Sequence, residues 1–389
     1  MKIAFIGQKS LLTHAGSIEK HVKQLAVSMA LLGNEVTVYV REKNFESPKK
    51  VSGISLVALP GIRVKRLETI SHIALATIHA LFQHYDIIHF HSIGPSVFSL
   101  LPRIFRPDMR VVATFHSRDY LHHHRNYLSR LFLKFAEFIT CTVPEKTIVV
   151  SKTLAQYTKD VYQKSFILIP SGIDVSPTEK TTLLKKYGLK ENRYILSVSR
   201  LARHKGIHYL IKAFQALKET SELPGNSWKL IIVSTQNEVK EYVSYLRFLA
   251  AGDTDIIFID TYTENELAQL HSHAGTFVNL AEDEDLSSTL LEALGYGLPC
   301  IVSDTPANRE AVADCGVICE SKNILDLKQK LSSLINRPDT MKIFSTLSKE
   351  RAQSEYDWHA IAKRTVSLYE TLLAQKPSIW KASFAMKKK

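Results

Sequence analysis

Strand-like and helix-like segments take turns along this chain, and after residue 172 the alternation begins afresh. The first series reads KIAFIG, a helical segment over 17–32, EVTVYV, ISLVAL, a helical segment over 70–83, DIIHFH, RVVATFH, a long helix near 127–138, TIVVS and FILIP. The second reads RYILSVS, a helix over 207–220, KLIIVS, a helix over 238–249, DIIFID, a helix over 264–273, TFVNL, a helix over about 289–294, and PCIVSD. Strands separated by helical crossovers predict a parallel sheet, because a tight turn joins only antiparallel neighbours. Two such series in 389 residues predict two α/β domains with parallel sheets and separate cores. Turn chemistry at Pro170-Ser171-Gly172 puts a hinge between an N-terminal domain over 1–172 and a C-terminal domain over 173–357. A last helix over about 358–380 is expected to pack back on the first domain, ahead of a basic tail over 381–389.

Charge is divided unevenly between these parts. Residues 1–170 carry 22 Lys and Arg against 11 Asp and Glu, residues 171–375 carry 23 against 27, and residues 376–389 add five Lys and no acid. A basic lobe followed by an acidic one argues against a nucleic-acid coat and for one face that meets an anionic partner, a lipid surface or a phosphate-bearing acceptor. Solubility charge with no partner is the plainer alternative. No stretch offers the roughly 20 apolar residues of a membrane span, and MKIAFIG enters a strand without a basic leader, so a cytoplasmic protein is expected. Four cysteines without a CxxC pair suit a reducing compartment, as buried small apolar residues.

The most informative segment is SRLARHKGIHYLI, where Arg200 and Lys205 bracket a turn between an apolar strand and a helix. Backbone N–H groups at a helix N-terminus and two fixed cations together suit a diphosphate. A second segment, EDEDLSSTLLEALGYGLPCIVSD, sets Glu284 eight residues before Glu292. On one continuous helix the pair would stand about 12 Å apart along the axis, too far to act on one glycosidic bond. With Glu284 on a loop and a helix capped by Ser287 or Ser288, both carboxylates can accept hydrogen bonds from the hydroxyls of one ligand. The loop GQKSLLTHAGS lacks a GxGxxG pattern, which weighs against a dinucleotide enzyme.

These segments resemble the retaining GT-B glycosyltransferases of family 4, also described as glycosyl transferases group 1. The resemblance rests on R-x4-K-G at Arg200 to Gly206, on E-x7-E at Glu284 to Glu292 with its EALGYGLPCIVSD continuation, on IPSGID, and on HFHSIGP and TFHSRDY. It covers most of residues 1–370. It implies the GT-B fold, two Rossmann-like domains with parallel sheets facing a central cleft, the first binding acceptor and the second a nucleotide-sugar donor. Carried over residue by residue, it implies that Arg200 and Lys205 hold the donor phosphates, Glu284 contacts the donor sugar and Glu292 the ribose, with Leu286, Ser287 and Ser288 lining the donor. It implies that Gly16 approaches the reaction centre and that His116 lines the donor sugar, and it implies no metal and no cofactor beyond the nucleoside-diphosphate sugar. The implied activity is a retaining transfer to a glycan or lipid-linked acceptor, in bacterial cell-surface polysaccharide synthesis. The leaving phosphate could itself accept the proton, and closure about the hinge would exclude water. Where the family has Gly-Gly and Glu-Gly, this chain has Ala15-Gly16 and Glu284-Asp285, and Glu282 to Asp285 crowd negative charge beside a phosphate site. A non-catalytic sugar-nucleotide-binding protein, or a partner subunit of an active transferase, is the alternative reading.

Other segments read as structural. His122-His123-His124 point apart on any regular element, while His89 and His91 share one face of a strand. Asp253-Thr254-Asp255 is a DxD, the metal-nucleotide signature of the other glycosyltransferase fold, but it precedes a strand. Residues 125–138 mix Arg125, Arg130 and Lys134 with Leu128, Leu131, Phe132 and Phe135, which fits either a membrane-facing or a core-facing amphipathic helix.

Overall fold

A computed structural model describes residues 1–8, 10–11, 16–41, 49–62, 64, 67–118, 120, 127–226, 228–235, 239–260, 262–282 and 285–375. The chain divides into two compact units, residues 1–172 with 358–389 and residues 173–357.

The first unit is built on eight strands: β1 (Lys2–Ile6), β2 (Glu35–Val40), β3 (Lys49–Val51), β4 (Ile54–Ala58), β5 (Ile87–His91), β6 (Arg110–Phe115), β7 (Lys146–Val149) and β8 (Ile167–Leu168). Their order is β3-β4-β2-β1-β5-β6-β7-β8. All neighbours are parallel except β3, which turns back on β4 at the edge. Ser52 and Gly53 at that turn have φ of 50° and 81°, the paired positive angles of a two-residue hairpin. Strands β5 and β6 are buried at every residue, as strands covered by helices on both faces must be. Helix Trp358–Ala374 lies against helix Ser17–Leu31 and puts Trp358, Ile361, Ala362 and Tyr369 into the core of this unit. It ends at Ala374, short of the expected 380, and the basic tail falls outside the described residues.

The second unit holds β9 (Tyr194–Arg200), β10 (Lys229–Thr235), β11 (Ile256–Ile259), β12 (Thr276–Asn279), β13 (Cys300–Ser303) and β14 (Gly316–Cys319). They are all parallel, in the order β11-β10-β9-β12-β13-β14. Counted from β9, this is the 3-2-1-4-5-6 order of the doubly wound Rossmann sheet. Alternate residues of β9 serve two cores. Tyr194, Leu196 and Val198 pack with Leu290, Leu291 and Leu294, whereas Ile195 packs with Ile207, Leu210 and Phe214. Helices Ile207–Glu219 and Ser288–Gly295 therefore cover opposite faces of the sheet. The winding reverses between β9 and β12, and in such sheets the ligand crevice opens beyond the carboxyl ends of the strands that flank the reversal.

Candidate functional site

Arg200 is the last residue of β9, and Lys205 closes a short 3-10 turn, Arg203–Lys205, directly before helix Ile207–Glu219. Between turn and helix stands Gly206, with φ of 71°. A Cβ there would come within 2.7 Å of the Leu280 carbonyl oxygen and 2.8 Å of Leu280 Cβ. Leu280 directly follows β12, so glycine is what lets the two loops at the reversal touch. The backbone N–H of Glu282 donates to the His204 carbonyl at 2.8 Å, lacing the same loops together. Arg200 is half-buried; its Nη2 lies 3.4 Å from His204 Nε2, while its Nε is buried with no hydrogen-bond partner among the described residues. A buried, unsatisfied guanidinium donor is costly to leave unmade; an anion at this position would satisfy it.

The other wall is the start of helix Ser288–Gly295. Ser287 occupies the N-cap position but makes no capping bond, because its hydroxyl lies 3.1 Å from Thr289 Oγ1. That corrects the expectation of a serine-capped helix. The first turn carries the positive end of the helix dipole without a serine oxygen folded over it. Ser287 is buried, Ser288 and Leu286 are half-buried, and Leu286 packs against the core. Glu292 follows Ser288 by one turn on the same helix face. Glu284 lies outside the described residues. The acidic run is partly neutralised: Glu282 Oε2 pairs with Lys322 Nζ at 3.0 Å, and this hydrogen bond raises the lysine pKa. The crowding of charge expected of Glu282 is thus relieved by a residue from the loop after β14.

In the first unit, Gly16 is the N-cap of helix Ser17–Leu31, with ordinary extended angles of φ −63° and ψ 176°. Its lack of a side chain leaves the helix start bare. His116 directly follows β6 and is buried with His21 and His91. His91 Nδ1 lies 3.4 Å from His116 Nε2, His21 Nδ1 lies 2.9 Å from Ser171 Oγ, and the His21 and His116 rings meet edge-on at 4.6 Å. His89 is tied to Tyr369 and, at 2.7 Å, to Thr114 Oγ1. Burial lowers the pKa of all four imidazoles, to about 3 for His89 and about 4 for His116, and neighbouring histidines push His21 and His91 down further. Among the described residues, His21, His91 and His116 are the group with a donor set for a cation, one nitrogen each within 4.8 Å of the others. Two zinc–nitrogen bonds span at most about 4.2 Å, so rings at the outer end of that spread would have to move to share an ion.

His116 is marked by its place after an apolar strand, whereas His21 and Ser171 carry no such local signal. Ser171 lies at the Pro170-Ser171-Gly172 turn and His21 in the helical segment over 17–32, and nothing in their spacing announces a contact across 150 residues. The DxD is a structural clamp, with Lys218 Nζ at 2.7 Å from Asp253 and 2.6 Å from Asp255. The triple histidine lies outside the described residues.

Two parallel α/β units, the second wound as a Rossmann sheet with cations and an uncapped helix at its reversal, define a two-domain GT-B protein. Residues 18–193 match Glycosyltransferase Family 4, and residues 179–351 match Glycosyl transferases group 1. The chain belongs to this group 1 and family 4 type of glycosyltransferase and is a transferase enzyme. It is 23% identical over 390 residues to spore coat protein SA of Bacillus subtilis, covering 95% of this chain and 99% of that one. In fold it is similar to sucrose-phosphate synthase from Thermosynechococcus elongatus, with a TM-score of 0.80 and 19% identity over 96% of this chain and 99% of that one. It is also similar to Anabaena HepE, solved with UDP-glucose, with a TM-score of 0.75 and 18% identity over 95% of this chain and all of that one.

Proposed function

We propose that this enzyme transfers a sugar, with retention of anomeric configuration, from a nucleoside-diphosphate sugar to a glycan or lipid-linked acceptor, in bacterial cell-surface polysaccharide synthesis at the cytoplasmic side of the membrane. The observation that carries this reading is the reversal between β9 and β12, where the Arg200–Lys205 turn and the start of helix Ser288–Gly295 open from adjacent strands and Arg200 Nε is buried without a partner among the described residues. Arg200 and Lys205 take the diphosphate and stabilise it as it leaves, so electrostatic positioning supplies most of the catalysis and no metal is required at the phosphates. Glu292 accepts hydrogen bonds from the ribose, Glu284 from the sugar, and Leu286, Ser287 and Ser288 line the donor. Gly16 and His116 are the first unit's contributions to the reaction, and that unit receives the acceptor. A neutral His116 hydrogen-bonds a sugar hydroxyl without placing a charge beside it.

UDP-, GDP- and ADP-sugars should be screened for their effect on the melting temperature. A ligand that binds the folded state raises it by mass action. Stabilisation by one base series that is lost in Arg200→Ala is the expected result; no stabilisation by any of the three refutes the donor assignment.

A further inference from the structure

Exposed large apolar side chains are gathered in the first unit. Among the described residues, seventeen of the twenty lie there, and only Phe248, Leu325 and Ile343 belong to the second unit. The densest row is on helix Tyr127–Thr142, which turns Tyr127, Leu128, Leu131, Phe132, Phe135 and Phe138 outward, with Leu128 73% and Phe135 52% exposed. The opposite side of the helix carries Leu133, Ala136, Ile139 and Cys141 into the core. The helix is therefore apolar on both faces, and of its two sequence readings the core-facing one accounts for only four of its ten apolar residues. A contiguous apolar row on a soluble surface marks an interaction site rather than chance exposure.

Charge selects the occupant. Arg130 and Lys134 are exposed within the row. The one acid of the helix, Glu137, is buried and accepts hydrogen bonds from the hydroxyls of Tyr157 at 2.6 Å and Tyr162 at 2.7 Å. The outward face thus shows aromatics, leucines and cations with no carboxylate, on a lobe whose first 170 residues carry twice as many bases as acids. A protein partner's core would have to strip water from those cations. At a bilayer surface their alkyl stems lie along the apolar zone while the charged ends stay among anionic headgroups, and the aromatic rings sit at the boundary. More apolar side chains continue on helix Leu67–Leu81 and helix Leu100–Phe105, which pack on one another in the same unit, with Ile78, Phe82, Ile104 and Phe105 exposed.

We propose that helix Tyr127–Thr142 docks the enzyme on an anionic membrane surface, its outer row entering the headgroup boundary. This rests on the proposed function only in that a lipid-linked acceptor would be met there; docking itself needs no donor. The test is co-sedimentation of the full chain with vesicles of two parts phosphatidylethanolamine to one part phosphatidylglycerol, against neutral phosphatidylcholine vesicles. Binding to the anionic vesicles that weakens with salt is expected. The triple variant Leu128→Ser, Phe132→Ser, Phe135→Ser and the double variant Arg130→Glu, Lys134→Glu should each lose about tenfold or more in partitioning. Both should keep the wild-type circular dichroism spectrum and any thermal stabilisation by donor. No binding by the wild type, equal binding to neutral vesicles, or unchanged binding by both variants overturns the proposal. So does a wild-type dimer in light scattering that the triple variant abolishes, since a second copy would then own the face. Vesicle binding without stabilisation by any sugar nucleotide would sink the donor assignment and leave the docking intact.

Discussion

Replacing Gly206 by alanine tests the close approach of the phosphate turn to the β12 loop. The alanine carries two costs. Its left-handed backbone costs about 1–2 kcal/mol in any L-residue. Its Cβ would also sit 2.7 Å from the Leu280 carbonyl oxygen, and overpacking of this kind costs about 1–3 kcal/mol. Gly252→Ala separates the two, because Gly252 has φ of 83° with nothing within 4 Å of its virtual Cβ, so only the backbone cost applies. Together the two terms give about 2–5 kcal/mol for Gly206→Ala, an expected loss of about 5–15 °C in the transition of a unit of this size. Gly252→Ala should lose less than half of that. Melts followed by calorimetry, with and without the stabilising sugar nucleotide, read both effects, and Gly206→Ala should also blunt the ligand-induced shift by displacing Lys205. Equal melting temperatures for the two variants would refute the close-approach reasoning.

Asp253→Asn with Asp255→Asn should leave transfer intact and insensitive to chelator while costing about 1 kcal/mol or less, since the Lys218 clamp is partly exposed; loss of activity would restore the metal reading of the DxD. Ser287→Ala should leave the melting temperature within about 1 °C, in contrast to the roughly 1 kcal/mol of a working cap, because this serine makes no capping bond. The buried histidines set an acid limit. Their folded pKa values lie below the ordinary value, so the unfolded chain takes up protons that the folded one refuses, and stability falls as pH drops from about 6.5 toward the folded values near 4 for His116 and 3 for His89. The slope reaches about 1.4 kcal/mol per histidine per pH unit, and urea unfolding between pH 7 and 5 should show it, shallower in His89→Gln. A flat profile would mean that these rings are solvated.

The period of the sequence made the fold class legible, because a parallel strand buried on both faces is an apolar run and its crossover is an amphipathic helix. The order of strands was not legible, since DIIHFH and TFVNL look alike whether they lie beside the first strand of their sheet or at an edge. Prolines hid helices: Ile93–Ser96 and Leu100–Phe105 contain Pro95 and Pro102 at their third positions, within the first turn where no intrahelical N–H bond is lost. The cations at the site were legible because Arg200 and Lys205 sit where a strand ends and a helix begins. The Lys322 that neutralises Glu282, and the His21–Ser171 contact, were not, because long-range pairing leaves no local trace.

Calorimetric titration of a nucleoside diphosphate into the wild type, Arg200→Ala and Lys205→Ala asks whether these two cations hold the donor's diphosphate. With UDP, GDP or ADP, whichever series stabilises the wild type, each variant should bind about 10- to 100-fold more weakly, the loss of a charge-assisted phosphate contact, at an unchanged melting temperature of the free protein. Wild-type affinity retained in both variants would show that the diphosphate lies elsewhere and that the junction of β9 and β12 is not the donor site.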